Sequence, residues 1–219
     1  MYRAEEDYLK VIYELQVELN KPLIKTSELK DSLKFSDQSI NDMIKRLELK
    51  SYINFIPYKG VSLTNKGIKV AIKFVRAHRV WEVFLTKHLN YPWHLVHDEA
   101  EKLEHSSSLE MVDKLYEYLG KPKYCSHGNP IPKDENDIVV IDDVSLSELK
   151  KGDRLLINRV LDDKDLLKML TNLNLYLNSE VLIKNKDLSN EILTIKVNEN
   201  DILLPLSVGS KIFGDLNKV

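Results

Sequence analysis

The stretch from Ser36 to Leu63, SDQSINDMIKRLELKSYINFIPYKGVSL, decides the fold of the N-terminal part of this chain. Its first half carries apolar residues at helical spacing, which predicts a helix over residues 37–49 with Ser36 as its N-cap. The residues of the buried face are Ile40, Met43, Ile44 and Leu47. Its second half is rich in strand-forming residues around the turn Tyr58-Lys59-Gly60, which predicts a β-hairpin.

The residues that precede this stretch complete a recognisable layout. Apolar spacing predicts an amphipathic helix over residues 3–18 and a short helix that ends near Leu33, with Thr26 as its N-cap. The turn Lys34-Phe35 between the two central helices is short. Helix, short turn, helix and hairpin together predict a winged helix-turn-helix.

The charges of the chain are unevenly distributed. The formal net charge is −2, yet residues 21–73 contain eleven Lys or Arg against five Asp or Glu. A basic segment between acidic flanks indicates a polyanionic partner. Amides on the second central helix suit adenine edges, and lysines suit phosphates, although a solvated polar face is the alternative. The residues that we expect to contact DNA are Thr26, Ser36, Gln38, Ser39, Asn41, Lys45, Tyr58 and Lys59.

A second informative stretch is HDEAEKLEH, residues 97–105. Helical spacing places two histidines and two glutamates of this stretch on one face, where an apolar stripe would be normal. Upstream, His78 and Glu82 repeat the spacing of four on another predicted helix, over residues 64–89. These oxygen and nitrogen donors favour a Mn(II) or Fe(II) site over a solvated acidic face. Asp7, by itself, is typical of a solvated first-turn carboxylate.

Cys125 is the single cysteine of the chain, so an internal disulfide is excluded. With His127 it forms a Cys-x-His pair in a loop rich in Pro and Gly, which alone is weak evidence for a metal site. No apolar run is long enough for a bilayer and the N-terminus lacks a secretory signal, so we expect no membrane association and a cytoplasmic location.

The remainder of the chain predicts two further parts. The helical segment that ends near Leu119 has more large apolar residues than it needs for itself, which indicates a dimer interface. Beyond a linker at residues 121–137, short strands are expected at 138–141, 153–160, 180–183, 192–197 and 202–206, with one helix at 164–173. This pattern predicts a small, mostly β barrel.

These motifs together resemble the diphtheria toxin repressor family, particularly its manganese-responsive members. The most specific matches are residues 97–105 and Cys125-Ser-His-Gly-Asn-Pro-Ile-Pro132. The resemblance implies a mainly α protein with small β parts. It would have a winged helix domain at 1–73, a helical dimerisation domain at 74–136 and an SH3-like, FeoA-type domain at 137–219.

The resemblance also implies two metal sites. The primary site would comprise Asp7, Glu101, Glu104 and His105; the second site would comprise Glu82, Cys125, His127 and Asp162. His78 and His97 would be ancillary ligands or would orient neighbouring ligands. Iron-responsive members have Met and Cys at positions 7 and 101, so oxygen donors there favour manganese. One departure is Lys10, where short members place a glutamate, and it argues against a pair of ions.

The expected function is metal-dependent repression of metal-uptake genes by a homodimer that binds double-stranded operator DNA. Mn(II) would be the corepressor, Fe(II) the alternative, and Zn(II) or Cd(II) substitutes in vitro. We expect three carboxylates in the primary site to repel one another without metal, and the metal to fix the geometry of the recognition helices. No catalysis and no small-molecule substrate are expected. The competing hypotheses are a metallohydrolase and a DNA-binding dimer that needs no metal.

Overall fold

The computed structural model describes residues 2–139 and 141–216 of the chain, and these form two compact units. Unit 1 contains the described residues up to Trp81, together with Glu101–Lys123 and Ile131–Ile141. Unit 2 contains Glu82–Ala100, Tyr124–Pro130 and the described residues from Asp142 onwards. The domain boundaries expected from the sequence stay a prediction.

Unit 1 begins with the predicted winged helix-turn-helix, which is confirmed. Its elements are α1 (Arg3–Tyr13), a π-helical turn (Glu14–Glu18), α2 (Thr26–Leu33), α3 (Asp37–Leu49), β1 (Ile53–Ile56) and β2 (Gly60–Leu63). The apolar faces of these elements pack against one another and form one core, because each element has its apolar residues on a single face. That core includes Tyr8, Leu9, Ile12, Ile24, Leu29, Ile40, Ile44, Leu47 and Val61.

The helices α2 and α3 each begin where a side chain accepts a hydrogen bond from a backbone N–H group that has no partner within the helix. Ser36 caps α3 as predicted, since its Oγ accepts a hydrogen bond from Ser39 N at 3.2 Å. The predicted cap at Thr26 is wrong, because α2 begins with Thr26 and Lys25 is the N-cap. Glu28 sets this start, since its carboxylate accepts from Lys25 N at 2.9 Å and must therefore lie three positions into the helix.

The wing is an antiparallel pair in which Ile53 pairs with Leu63 and Ile56 with Gly60. Gly60 has a φ of +139°, and a Cβ there would lie 2.3 Å from Ile24 O. Glycine is needed because Ile24 pairs with Val61 along the edge of the hairpin. The turn residue Tyr58, with a φ of +63°, lies fully exposed at the tip.

Three further helices follow the wing: α4 (Asn65–Leu89), α5 (Val96–Glu104) and α6 (Leu109–Tyr118). Thr64 caps α4 as predicted, accepting from Gly67 N at 3.1 Å. The helix α5 ends at Glu104, so His105, which the spacing of residues 97–105 placed on a helix face, lies just beyond its last residue. None of the described helices is long and apolar enough to cross a membrane.

Unit 2 contains the predicted, mostly β part, built on a sheet of order β3-β8-β4-β5-β6-β7 with antiparallel pairing. Its elements are β3 (Val144–Ser145), a 3-10 turn (Leu146–Glu148), β4 (Arg154–Val160), α7 (Lys164–Asn172), β5 (Glu180–Asp187), β6 (Ile192–Val197), β7 (Asn200–Pro205), α8 (Leu206–Gly209) and β8 (Ile212–Leu216). The predicted strands from residue 153 onwards and the helix at 164–173 are confirmed. The strand predicted at 138–141 is absent at Ile138, Val139 and Ile141, while Val140 lies outside the described residues.

Candidate metal centres and DNA-contacting surface

Four potential metal ligands converge in unit 1. Asp7 comes from α1, Glu101 and Glu104 come from the last turn of α5, and His105 follows directly. Each offers one ligand atom, and these atoms lie within 4.8 Å of one another. The structure therefore brings together the four residues that the resemblance assigns to a primary site.

The orientation of His105 is set by a neighbour that the sequence did not single out. Nδ1 of His105 donates a hydrogen bond to Glu6 Oε2 at 2.8 Å, which turns Nε2 towards Asp7 Oδ1, also at 2.8 Å. Both Nε2 and Oδ1 are buried, and neither makes a hydrogen bond. Buried polar atoms normally have a partner, so this pair of atoms fits a divalent cation.

The electrostatics of Asp7 fit the same interpretation. Burial raises the pKa of the Asp7 carboxyl, His105 lowers it, and Glu101 raises it further. Burial disfavours the charged form of this carboxyl, and a cation bound close to it would stabilise that charged form.

Lys10 changes the expected charge balance of this cluster. Its side chain is almost fully buried, and its ammonium lies 2.5 Å from Glu101 Oε2 and 2.9 Å from Glu104 Oε1. Burial opposes the charge of Lys10, but Glu104 and Glu101 outweigh it and raise the pKa above its ordinary value. The expectation of three mutually repelling carboxylates is therefore wrong as it stands, because a resident cation already lies between two of them.

His78 lies behind the same carboxylates. Its Nδ1 contacts Glu104 Oε2 and is 3.7 Å from Glu101 Oε2. Within unit 1 the ring can therefore orient Glu104. Whether His78 ligates an ion or orients a ligand stays a prediction.

Unit 2 contains a second convergence of potential ligands. Glu82, Cys125 and His127 each offer a ligand atom within 4.8 Å of the others. The His127 ring donates from Nε2 to the carbonyl oxygen of Trp93 at 2.7 Å. Its buried Nδ1 then faces Glu82 Oε1 at 2.9 Å and Asp162 Oδ1 at 3.4 Å, without the geometry of a hydrogen bond.

The remaining predicted residues of unit 2 lie at the same place. His97 Nδ1 donates to Asp162 Oδ2 at 2.8 Å, and both residues offer ligand atoms close to Glu82. Burial lowers the pKa of His127, but Glu82 and Asp162 outweigh this and raise it well above its usual value. Carboxylates that stabilise a proton on this ring are equally suited to stabilise a metal cation.

The loop around Cys125 reaches Glu82 because it is attached to β4. Val160 N donates to His127 O at 3.0 Å, and Asn129 Nδ2 donates to Val160 O at 3.1 Å. Gly128 has a φ of +82°, and a Cβ there would lie 1.9 Å from Asn158 O. The glycine permits this close approach, which converts a weak Cys-x-His pattern into part of a ligand cluster.

The predicted DNA-contacting residues lie on the exposed surface of α3 and the wing, except Thr26, which is half-buried. The exposed residues are Ser36, Gln38, Ser39, Asn41, Lys45, Tyr58 and Lys59. The hydroxyls of Ser36 and Ser39 lie 2.9 Å apart, and Ser36 is also the N-cap of α3. Phe35 was missed as a surface residue; it is exposed and stacks on Tyr8 with ring centroids 6.0 Å apart.

Comparisons with known families cover nearly all of the chain in three parts. Residues 1–61 match the N-terminal DNA-binding domain of iron-dependent repressors, and residues 64–133 match their metal-binding and dimerisation domain. Residues 144–216 match the FeoA domain. The chain thus has a DNA-binding domain, a helical dimerisation domain and an SH3-like C-terminal domain.

Individual relatives agree with this division. The chain is 30% identical to the iron-dependent repressor IdeR of Mycobacterium leprae over 91% of each chain, and 31% identical to the diphtheria toxin repressor of Corynebacterium glutamicum over 83% of each. Among solved structures, it is similar to the manganese regulator SloR, with a TM-score of 0.87, 32% identity and coverage of 97% of this chain and 98% of SloR. The metallohydrolase and the metal-independent dimer find no support in these comparisons. The chain belongs to the diphtheria toxin repressor family of metal-dependent, DNA-binding transcriptional repressors.

Proposed function

We propose that this chain is a manganese-responsive repressor in which Asp7, Glu101, Glu104 and His105 hold the activating ion. One observation carries the proposal: Asp7 Oδ1 and His105 Nε2 are buried 2.8 Å apart without hydrogen bonds, beside the carboxylates of Glu101 and Glu104. Three carboxylates and one imidazole are the donors that Mn(II) accepts.

The choice of manganese rests on the donor atoms of this cluster. No thiolate is among them, and oxygen-rich donors suit Mn(II), with Fe(II) as the alternative. Zn(II) and Cd(II) substitute in vitro, since divalent zinc binds such sites more tightly than manganese. Among the relatives, SloR is a manganese regulator, and the related ScaR has been solved with Zn²⁺ and with Cd²⁺.

The residues of α1 give the site its effect on DNA binding. Tyr8 and Ile12 on α1 belong to the core that also supports the recognition helix α3, so the position of α1 determines that of α3. Asp7 on the same helix faces Glu101 and His105 of the dimerisation domain. A bound ion supplies the positive charge that these four ligands share. Through this shared ion, Asp7 then fixes the position of the N-terminal DNA-binding domain relative to the dimerisation domain.

Restraint of α1 would set the separation of the two recognition helices in a homodimer. Half-sites of operator DNA lie about 34 Å apart, or a multiple of that distance. On α3, Gln38 and Asn41 would contact base edges, while Lys45 and the wing residue Lys59 would contact phosphates. Thr26, Ser36, Ser39 and Tyr58 would make further contacts, and the regulated genes would be those for metal uptake.

We assign the cluster in unit 2 to a second ion. Glu82, Cys125, His127 and Asp162 would be its ligands, with His97 as a further donor or as the residue that orients Asp162. Cys125 adds a softer donor than the primary site contains, so this site would bind Zn(II) or Cd(II) strongly.

The test is DNA binding to AT-rich promoter fragments with Mn(II), Fe(II), Zn(II) or chelator, comparing wild type with Asp7→Ala. We expect Mn(II) to stimulate wild-type binding at least tenfold, and Asp7→Ala to lose the stimulation while sedimenting as the same dimer. The control is Asp201→Ala, an exposed aspartate on β7 in unit 2. Equal stimulation of Asp7→Ala, or binding unaffected by chelator, would refute the proposal.

A further inference from the structure

The outward face of the recognition helix α3 has a carboxylate at its centre. Gln38, Asp42 and Lys45 follow the helical spacing i, i+4, i+7, which places them on one face. All three are exposed. The opposite face is buried and consists of Ile40, Ile44 and Leu47. Asp42 therefore lies between a residue that we expect to contact a base edge and a residue that we expect to contact a phosphate.

The charge of Asp42 has no local partner. The other aspartate of α3, Asp37, pairs with Lys30, whose Nζ lies 2.7 Å from Asp37 Oδ2. Asp42 forms no ion pair and no side-chain hydrogen bond with any described residue, although Lys45 and Arg46 lie one turn further along the helix. A full negative charge thus remains on the surface that we expect to face the DNA phosphates, which repel it.

A carboxylate that enters the major groove has few favourable base edges to contact. It only accepts hydrogen bonds, and the donors on the major-groove edges are the N4 amino group of cytosine and the N6 amino group of adenine. In adenine, the N7 acceptor lies beside N6 and repels a carboxylate, whereas cytosine has a C–H group beside N4. Guanine and thymine offer acceptors but no donor in this groove. Cytosine is therefore the base that suits Asp42 best.

We infer that Asp42 determines sequence specificity by selecting a C·G pair in each half-site, where its carboxylate accepts a hydrogen bond from the N4 amino group of cytosine. The inference rests on the proposed contacts of α3 with operator DNA. Lys45 on the same face offsets part of the repulsion between Asp42 and the neighbouring phosphates. At any other base pair the carboxylate would lose its water without gaining a donor, which is costly for a charged group. Asp42 therefore contributes specificity more than affinity.

The test compares wild type with Asp42→Asn and Asp42→Ala on a promoter fragment that the wild-type protein binds with Mn(II), with each base pair varied singly. We expect one position in each half-site at which wild type prefers C·G by about tenfold, as for a typical single-pair mismatch. Asp42→Asn should change that preference to A·T, with adenine on the strand that carried cytosine, because an amide bonds both N6 and N7 of adenine. Asp42→Ala should lose the preference at that position and keep the others.

The control is Glu48→Gln, which removes an equal charge from the same helix. Glu48 is also exposed, and no described residue pairs with its side chain. It lies on the last turn of α3, whereas recognition helices contact base edges with their N-terminal residues. This variant should therefore change the affinity for all sequences alike and leave each base preference as in wild type.

A double-mutant cycle isolates the contact itself. Asp42→Ala and replacement of the C·G pair by T·A should together cost no more than either change alone, because both remove the same hydrogen bond. Additive costs, unchanged base preferences in both Asp42 variants, or an equal change at every position would overturn the inference. Failure of the proposed α3 contacts is distinguishable, since Gln38→Ala would then also leave every base preference unchanged.

Discussion

Nδ1 of His105 donates to Glu6 Oε2 at 2.8 Å, and this hydrogen bond determines which ring nitrogen faces the metal-ligand cluster. A neutral imidazole has one N–H and one lone pair, so the bond to Glu6 leaves the lone pair on Nε2. That nitrogen is the one beside Asp7. Glu6 thus fixes the tautomer and the orientation of His105, a proposed metal ligand, although Glu6 is not itself one of the proposed ligands.

Glu6→Ala should weaken Mn(II) binding about tenfold, because partners that orient a metal-binding histidine typically contribute that much. Glu6→Gln retains an acceptor oxygen and should lose less. Calorimetric titration measures both variants, with the exposed Glu110→Ala as the control. Equal affinities for Glu6→Ala and wild type would show that His105 needs no such partner.

Cys125→Ser should weaken only the site in unit 2. Serine is close in size to cysteine but cannot supply a thiolate, so Cd(II) should lose its sulfur charge-transfer absorption and bind unit 2 less tightly. Manganese affinity of unit 1 should stay within twofold of wild type. Loss of the manganese-dependent DNA response in this variant would reverse the assignment of the two sites.

Gln38 and Lys45 on α3 should differ in how their loss affects DNA binding. Gln38→Ala should cost about 1–3 kcal/mol at one base pair and relax the preference there. Lys45→Ala should weaken binding to all sequences and reduce the salt dependence by about one counterion. Fluorescence anisotropy over a series of salt concentrations and single-base operator variants separates the two effects. An identical pattern for both variants would contradict the assigned roles.

Glu14 should make unit 1 less stable as the pH rises towards neutrality. Burial raises the pKa of its carboxyl from 4.5 to about 7, while Lys10 lowers it and Glu18 raises it. Because the raised pKa belongs to the folded state, the folded protein binds more protons between these values, and stability is lost as the pH rises through 7. Glu14→Gln should therefore gain stability relative to wild type at pH 8 and gain little at pH 4.5. Denaturant unfolding of the metal-free proteins at both pH values measures this; parallel pH profiles would count against it.

The regular elements were largely predictable from the sequence because their signals are local. Helix α3 and strand β6 have the predicted bounds, since apolar spacing and capping act within a few residues. The N-cap predicted at Thr26 was wrong because the carboxylate of Glu28, and not the hydroxyl of Thr26, accepts the hydrogen bond that sets the start of α2. Strand β3 has two residues and was missed, since a signal that short depends on its partner β8.

The residue types of the candidate sites were predictable from the sequence, but the contacts between those residues were not. The pattern of residues 97–105 and the resemblance named the potential ligands, and the structure brings them together in two clusters. The resemblance singled out Lys10 as a cation that argues against a pair of ions, but its contacts with Glu101 and Glu104 could not be predicted, because a lysine three positions after Asp7 is as compatible with solvent as with a buried pocket. Glu6 was equally ambiguous among three consecutive acidic residues. Contacts between positions far apart in sequence decide both cases.

The most direct test of the central claim is a crystal structure of the manganese-bound protein, with anomalous diffraction used to locate the ion. The account predicts one anomalous peak in unit 1, coordinated by Asp7, Glu101, Glu104 and His105, with the Lys10 ammonium still against the two glutamates. A manganese-bound structure in which Asp7 points into solvent, away from any ion, would contradict it.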